Sequence, residues 1–424
     1  MHILFLTHYF PPEVNAPASR TFENAKRWVG AGHKVTVLTC APNHPRGILY
    51  PGYKNRLFQW DMLEGIRILR VFTCLSPNAG FMRRILNYFS YMLSATIFCP
   101  LVSEIDIVVS TSPQFFCGMA GLWVSLLKSK PWVLEIRDLW PESIMAVGQV
   151  INPMLIRCLQ GLETFLYKRA DHIISLTRSF KQHIAKRGIS GERISVLTNG
   201  VDLEHFQPVS KKDFILRGNG HTELAEKFVI SYVGTHGMAH GLETVLLAAE
   251  ILRPYDNILF LLIGDGAERE SLLNKRDKAG LENVLMLPQQ PKEKMPEFLA
   301  LSDACMVLLK NRDLFKTVIP SKIFEAMGME RPVILGVTGE SKGIVEAAGC
   351  GICIEPENPQ QLADAVLKLF NDPELAAGMG RNGRQCVIAA YNRETLAGSY
   401  LGILDRVSKV QEKTSEKAYP SLSV

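Results

Sequence analysis

Charge is sparse in this sequence. Only 21% of the 424 residues are charged and the formal net charge is +5, which excludes a self-repelling disordered chain over most of the length. The basic residues form no stripe interleaved with aromatics, so no nucleic-acid partner is expected. The nine cysteines are odd in number and sit mostly inside apolar runs. No secretory leader precedes the strand-like His2-Ile3-Leu4-Phe5-Leu6, so reduced cysteines and a cytoplasmic setting are expected. Cys350-Gly-Ile-Cys353 has redox spacing, but no second pair accompanies it and it leads into a strand pattern. A helix N-terminus, where a thiolate would be stabilised, is missing there, so the pair reads as inert. There is no zinc-type cluster, no arguable Ser-His-Asp order and no repeat with a period of about 20–50 residues.

Long apolar runs are nearly absent too. Ile85–Val102 is one of the few: 18 positions without a charge, preceded by Arg83-Arg84. That length is borderline for a membrane span, but the run contains Asn, Ser, Thr and Pro and leads straight into a core strand. A helix docked on a sheet, or one dipping into a membrane interface over about residues 81–103, fits better.

What is present is alternation of strands and helices. Strands are expected at His2–His8, Lys34–Cys40, Ile66–Val71, Asp106–Thr111, Trp132–Arg137, His172–Thr177 and Ile194–Leu197, with helices between most of them. The pattern restarts after Thr198-Asn199-Gly200-Val201-Asp202 and the polar stretch Gln207–His221. Strands follow at Phe228–Val233, Ile258–Ile263, Ala304–Leu309, Pro332–Gly336 and Ile352–Glu355, and Asn358 is placed to cap a helix over Pro359–Phe370. Such alternation implies parallel sheets covered on both faces. The reading is an α/β chain with two doubly wound, Rossmann-like domains, 1–200 and 201–392. A helix at 393–410 is expected to pack back toward the first domain, and 411–424 is expected to be a disordered tail. Residues 1–200 carry a net charge of +10 and the remainder −5, so the first half is expected to face an anionic surface or ligand, or simply to carry a solvated basic face. Two such domains suit a dehydrogenase, a binding protein or a nucleotide-sugar enzyme. Ligands of open α/β sheets bind at the carboxyl ends of the strands, so the loops there decide.

Two loops carry chemistry. Val233-Gly234-Thr235-His236-Gly237-Met238-Ala239-His240-Gly241 follows a strand and opens a helix. Small residues let backbone amides approach an anion, the helix N-terminus adds positive potential, and His236 and His240 add donors. The loop is neither a Walker loop nor a Gly-x-Gly-x-x-Gly turn, and an ordinary tight turn is the alternative. Pro320-Ser321-Lys322-Ile323-Phe324-Glu325 starts another helix, with a hydroxyl and a cation at its positive end. Glu325 lies one turn on, where it can accept hydrogen bonds from a vicinal diol such as ribose. The plain alternative is a capped helix with a Lys322–Glu325 pair.

These blocks, in order, resemble the retaining glycosyltransferases of family 4, which have the GT-B fold. The Gly234–Gly241 loop, Pro320–Gly328 with Pro332-Val333-Ile334, the Thr198–Asp202 segment with Phe206, Gly264-Asp265-Gly266, and Tyr9-Phe10-Pro11-Pro12-Glu13 with Gly32–Thr39 all match in spacing. The similarity covers about residues 1–405, and the most similar branch makes bacterial surface polysaccharides, as the fucosamine transferases of O-antigen synthesis do. The resemblance implies a donor diphosphate held by Gly234, Thr235, His236, Gly237, Gly241, Pro320, Ser321 and Lys322. It implies ribose on Glu325 and the nucleobase near Leu287, Pro288 and Gln289. Arg137 and Asp138 fall where many members have His-Asp near the sugar, and the loop with Glu13, Asn15 and Arg20 lines the other side of the cleft. Many members have Arg, Lys and Glu where this chain has Thr235, His240 and Thr317, so Lys322 and a phosphate-bound His240 would replace missing positive charge. No two aspartates stand two positions apart, so the usual Asp-x-Asp metal motif is missing and no metal or other cofactor is expected. Lys322, His240, Arg137 and Asp138 are the catalytic candidates.

The expected activity is transfer of a sugar from a nucleoside diphosphate sugar, UDP-linked, to a lipid-linked acceptor at the membrane's cytoplasmic face. A UDP-sugar 2-epimerase of the same architecture and a catalytically silent sugar-nucleotide-binding subunit are the alternatives.

Overall fold

The computed structural model describes residues 1–76, 81–112, 115–142, 152–216 and 224–418. The chain divides into one unit of Met1–Leu197 with Leu396–Val424 and a second of Thr198–Thr395.

In the first unit, predominantly apolar runs form strands buried over most of both faces. They are β1 (His2–Leu6), β2 (Lys34–Cys40), β4 (Ile66–Val71), β5 (Ile107–Thr111), β6 (Trp132–Ile136), β7 (His172–Ser175) and β8 (Ile194–Val196). They lie in the order β4-β2-β1-β5-β6-β7-β8 and are all parallel; β3 (Phe58–Leu63) adds an antiparallel edge on β4. Helices α1 (Ala16–Gly30), α2 (Phe81–Phe98), α3 (Phe115–Lys128), α4 (Pro153–Arg169) and α5 (Arg178–Lys186) complete the crossovers. The sheet order reverses direction between β1 and β5, which opens a crevice at the strands' carboxyl ends.

Apolar clusters cover both faces of this sheet. One contains Leu4, Leu38, Val108 and Leu134 with Tyr91 and Ala95 of α2. The other contains Ile3, Phe5, Val37 and Val109 with Trp28 of α1. It is closed by the last helix of the chain, Arg393–Ala418, through Tyr400 and Leu404. The Trp28 indole donates to the Ala397 carbonyl at 3.1 Å and meets the Tyr400 ring edge-on at 5.0 Å. This helix runs past the expected end at 410 as far as Ala418; of the tail expected at 411–424, residues 419–424 lie outside the described residues.

The uncharged run at 85–102 is helix α2 and a 3-10 turn at Cys99–Leu101. Tyr91, Met92, Ala95 and Cys99 dock on the sheet, whereas Leu86, Phe89, Leu93 and Ile97 are exposed. No described helix is long and apolar enough to cross a membrane.

The second unit holds six parallel strands in the order β11-β10-β9-β12-β13-β14. They are β9 (Phe228–Val233), β10 (Ile258–Ile263), β11 (Val284–Leu287), β12 (Ala304–Leu308), β13 (Val333–Gly336) and β14 (Gly351–Cys353). The polar stretch after residue 207 contains α6 (Lys211–Leu216); residues 217–221 of it lie outside the described residues. The remaining helices are α7 (Glu243–Ile251), α8 (Arg269–Ala279), α9 (Met295–Leu301), α10 (Lys322–Gly328), α11 (Glu340–Ala348), α12 (Pro359–Asn371) and α13 (Pro373–Ala390). Asn358 caps α12 by accepting from the Gln361 amide at 3.0 Å. The direction of this sheet reverses between β9 and β12. All nine cysteines are free thiols, and burial pushes those of Cys350 and Cys353 up to about 12 and about 11.

Candidate active site

In the second unit, the Gly-rich loop leaves the carboxyl end of β9 beside the switch point. Its first residue, Gly234, has φ 138°, and a Cβ there would stand 2.5 Å from Lys322 Nζ. Gly264 and Gly266 bring the next loop equally close: Cβ atoms on them would collide with the backbone of Gly234 and His236. The His236 amide donates to the Asp265 carbonyl at 2.9 Å, and the Gly264 amide to the Leu287 carbonyl at 3.2 Å. Thus the loops after β9, β10 and β11 are knitted into one surface, and Leu287, Pro288 and Gln289 stand at its edge.

Lys322 enters this surface from the start of α10. Pro320 lies just ahead of the helix rather than in its first turn, and the Ser321 side chain caps no amide. Lys322 makes no ion pair with Glu325 among the described residues, so the plain capped-helix alternative is not what is observed. Instead its ammonium lies 3.9 Å from the centre of the Tyr232 ring and donates to the Tyr232 hydroxyl at 2.7 Å. That hydroxyl donates onward to the Thr235 carbonyl at 2.9 Å. Burial pulls the Lys322 pKa down to about 7, with Glu325 opposing. His236 is fully buried and neither of its ring nitrogens has a hydrogen-bond partner. Burial lowers its pKa to about 4, with Arg269 and Lys322 adding to the effect. His240 stands 3.4 Å from the Leu308 carbonyl, and burial followed by Lys322 lowers it to about 4 as well. His240 is therefore neutral at neutral pH here, and an anion is needed to charge it.

Three basic side chains thus meet with no carboxylate in hydrogen-bond reach among the described residues; both histidines are uncharged and Lys322 is about half charged at pH 7, and an anion joining them would favour their charged forms. Glu325, with Ser231 and Lys322, lines a neighbouring cavity of about 260 Å³. Thr317, in a 3-10 turn ahead of α10, uses its hydroxyl on the Leu314 carbonyl.

In the first unit, the basic candidates near the carboxyl end of β6 already have a carboxylate partner. Arg20 pairs with Glu135 at 2.6 Å and Arg137 reaches the same carboxylate at 3.5 Å. Burial raises Asp138 to about 6 against the pull of Arg20. Asn15 is the N-cap of α1, accepting from the Ala18 amide at 2.9 Å. The buried carboxylate of Glu13 accepts from the amides of Asn43 and His44, both at 2.9 Å, and of Phe10 at 3.3 Å. Asn15 and Glu13 thus shape the loops.

The fold also gathers Glu142, Glu163 and His183 within metal-ligand reach. Arg187 already fills that position, at 2.6 Å from Glu142, 3.0 Å from Glu163 and 3.2 Å from His183. A guanidinium supplies the charge a metal would bring.

Tyr232 and Arg269 belong to this loop surface and are not evident in the sequence. Tyr232 is one of two hydroxyl residues inside the otherwise apolar strand Phe-Val-Ile-Ser-Tyr-Val. Arg269, whose Nε donates to the Gly264 carbonyl at 3.1 Å, follows Gly264-Asp265-Gly266 by a few positions, and that proximity was the available signal.

Comparison with known proteins agrees with this geometry. The model described as "Glycosyltransferase Family 4" matches residues 18–205, and "Glycosyl transferases group 1" matches 219–386. The Escherichia coli K12 protein WcaI, named for colanic acid biosynthesis as a glycosyl transferase, is 23% identical over 86% of this chain and 91% of its own length. Sucrose-phosphate synthase from Thermosynechococcus elongatus superposes with a TM-score of 0.75 at 18% identity, over 96% of this chain and 99% of that one. Anabaena HepE, solved with UDP and glucose, gives 0.70 at 18% identity, over 95% and 99%. The chain belongs to the family 4 glycosyltransferases of GT-B fold and is a glycosyltransferase enzyme.

Proposed function

We propose that this enzyme transfers a sugar from a UDP-sugar to a lipid-linked saccharide in bacterial surface polysaccharide synthesis, with retention and without a metal. The observation that carries the donor side is the convergence of Lys322, His236 and His240, without a carboxylate in hydrogen-bond reach among the described residues, on a loop surface of close-packed glycines. A diphosphate would bring the charge this cluster lacks. As the glycosidic bond breaks, negative charge grows on the leaving phosphate, and a preorganised cation and loop amides stabilise that charge more than the ground state. Lys322 takes the part that a metal plays elsewhere, in keeping with the missing Asp-x-Asp motif. The donor's own phosphate oxygen would accept the acceptor's proton, so no nucleophilic side chain is required. Glu325 is assigned to the ribose hydroxyls, and Arg137 and Asp138 to the sugar.

Two relatives support the donor and pathway assignments. HepE has been solved with UDP, and WcaI is named for a surface polysaccharide. The acceptor assignment rests on α2, whose exposed Leu86, Phe89, Leu93 and Ile97 recur at helical spacing. Trp123, Leu126 and Leu127 of α3 are exposed as well, and Arg83 precedes the apolar face. Apolar side chains with a basic flank suit a peripheral site on an anionic bilayer.

The test is a thermal-shift panel of UDP, GDP, ADP, CMP and NAD, with and without magnesium. A ligand that binds only the folded state stabilises it by RT ln(1 + [L]/Kd). Stabilisation by UDP alone, indifferent to magnesium, is expected. A response to NAD, or to none of them, overturns the donor assignment.

A further inference from the structure

The sheet of the first unit ends in an unprotected edge. Strand β3 pairs with β4 on one side, and no described strand lies on its other side. The ladder shows which of its backbone groups point outward. The Leu57 carbonyl accepts from the Phe72 amide at 3.0 Å, and the antiparallel register continues through Gln59–Arg70, Asp61–Ile68 and Leu63–Ile66. Backbone direction alternates along a strand, so these odd-numbered residues bond β4. The N–H and C=O groups of Phe58, Trp60 and Met62 therefore point away from it. The same three side chains share one face of the sheet and are exposed, and exposed Arg56 and Glu64 continue that face at the two ends. Edge strands are normally blunted by a charge, a proline or a bulge; the three outward positions of β3 carry none of these. Their side chains are nonetheless held in place. The Arg67 guanidinium lies 4.7 Å from the centre of the Trp60 ring, and Phe58 meets Phe98 of α2 at 5.3 Å.

We infer that β3 pairs antiparallel with β3 of a second copy of this chain, about a twofold axis at Trp60. That register sets Trp60 opposite its own equivalent and Phe58 opposite Met62 on either side of the axis. At both ends it sets Arg56 opposite Glu64. Arg56 forms no ion pair among the described residues, and Glu64 reaches only the exposed Lys26, at 3.3 Å. The edge is therefore complementary to itself in ladder groups, in apolar side chains and in charge. Aromatic and opposite-charge pairs directly across a ladder stabilise it. A bilayer would cover the apolar side chains but leave the outward amides and carbonyls without partners; a second strand satisfies both. The axis stands perpendicular to the sheet, so the two eight-stranded sheets join into one, and both copies of α2 come to the same side of it.

The test is sedimentation equilibrium of the full chain over about 1–100 μM, because association depends on concentration. A mass rising from 47.4 kDa toward twice that value is expected. Trp60→Lys sets like charges directly opposite each other across the axis and should weaken the dimer by about tenfold or more. Arg56→Glu sets a glutamate against Glu64 at both ends and should weaken it by about tenfold. Adding Glu64→Arg to that variant should restore the association, which no folding defect would do. A chain that stays at 47.4 kDa throughout overturns the proposal; if it then floats with phosphatidylcholine vesicles and Trp60→Lys abolishes this, the edge belongs to a bilayer. A dimer that Trp60→Lys leaves intact is built elsewhere on the surface. A dimer that Arg56→Glu weakens and Glu64→Arg does not restore has another register. Either result overturns the twofold pairing of β3.

Discussion

The two units share one architecture and finish it with opposite electrostatics. At the switch point of the second unit, Lys322, His236 and His240 meet with no carboxylate in hydrogen-bond reach among the described residues, and burial leaves the histidines uncharged and Lys322 about half charged at pH 7. At the carboxyl end of β6 in the first unit, Arg20 and Arg137 converge on Glu135 and already share a carboxylate partner. Net charge points the other way: the basic half of the sequence holds the cluster that carries its own carboxylate, and the acidic half holds the basic cluster without one. A ligand responds to groups within a Debye length, about 8 Å at physiological salt, so local pairing decides where an anion binds.

If that contrast is right, removing a cation should harm catalysis in one unit and stability in the other. The largest effect is expected from Lys322→Ala. Loss of one preorganised group facing the developing charge typically costs about 100–1000-fold in turnover, about 2.7–4 kcal/mol. UDP release should be followed with the UDP-sugar that the wild type turns over fastest. The melting temperature should stay within a few degrees, because removing a buried cation without a carboxylate partner relieves a desolvation cost. A large melting shift with turnover intact would place Lys322 in the framework instead.

Arg20→Ala should do the reverse. Breaking a buried pair typically costs about 3–5 kcal/mol, and Arg137 still reaches Glu135 at 3.5 Å, so a loss of about 2–3 kcal/mol is expected. Urea denaturation reads this directly. UDP affinity should not change, and a tenfold loss of UDP binding would break the comparison. Glu325→Ala comes next, weakening UDP by about 1.5–3 kcal/mol, the range for hydrogen bonds to a charged group. Unchanged affinity would remove Glu325 from the ribose.

Strands buried on both faces were plain in the sequence. Lys34–Cys40, Ile66–Val71, Phe228–Val233 and Ile258–Ile263 have the expected ends because short runs dominated by β-branched and other apolar residues are bounded by polar or turn residues. Strand β3 was hidden because its polar and apolar residues alternate at a solvent-facing edge, where Phe58, Trp60 and Met62 remain exposed. Helix α13 was hidden by its glycines. Gly380 is needed there because a Cβ would stand 2.1 Å from the Glu330 carbonyl oxygen, a tertiary demand that overrides helix propensity. At the site, Lys322, Glu325 and the glycines were legible because their chemistry is unusual for those positions. Tyr232 was not, because a tyrosine in an apolar strand looks like core until its hydroxyl is seen holding Lys322. The neutrality of His236 and His240 depends on burial and on each other's neighbours, and neither is written in local sequence.

The smallest effect tests the contrast through a proton. With the site empty, Lys322 titrates near 7 because burial disfavours its charge; a bound diphosphate favours the charged form and raises that value. The bound state then holds a proton that the free state has lost above pH 7, so binding must take one up. Affinity should fall by up to tenfold, about 1.4 kcal/mol, for each pH unit above about 7, until the bound-state pKa is passed. UDP-glucose is the suitable probe, because its diphosphate is fully ionised across this range and contributes no slope of its own. Calorimetry between pH 7 and 9 should show the decline in the wild type and in Glu325→Ala, and a flat profile in Lys322→Met. A slope that survives in Lys322→Met would place the proton on another group of the loop surface. A flat wild-type profile would mean that the ammonium is charged before the donor arrives, and the second unit would then differ from the first in geometry but not in the state of its charge.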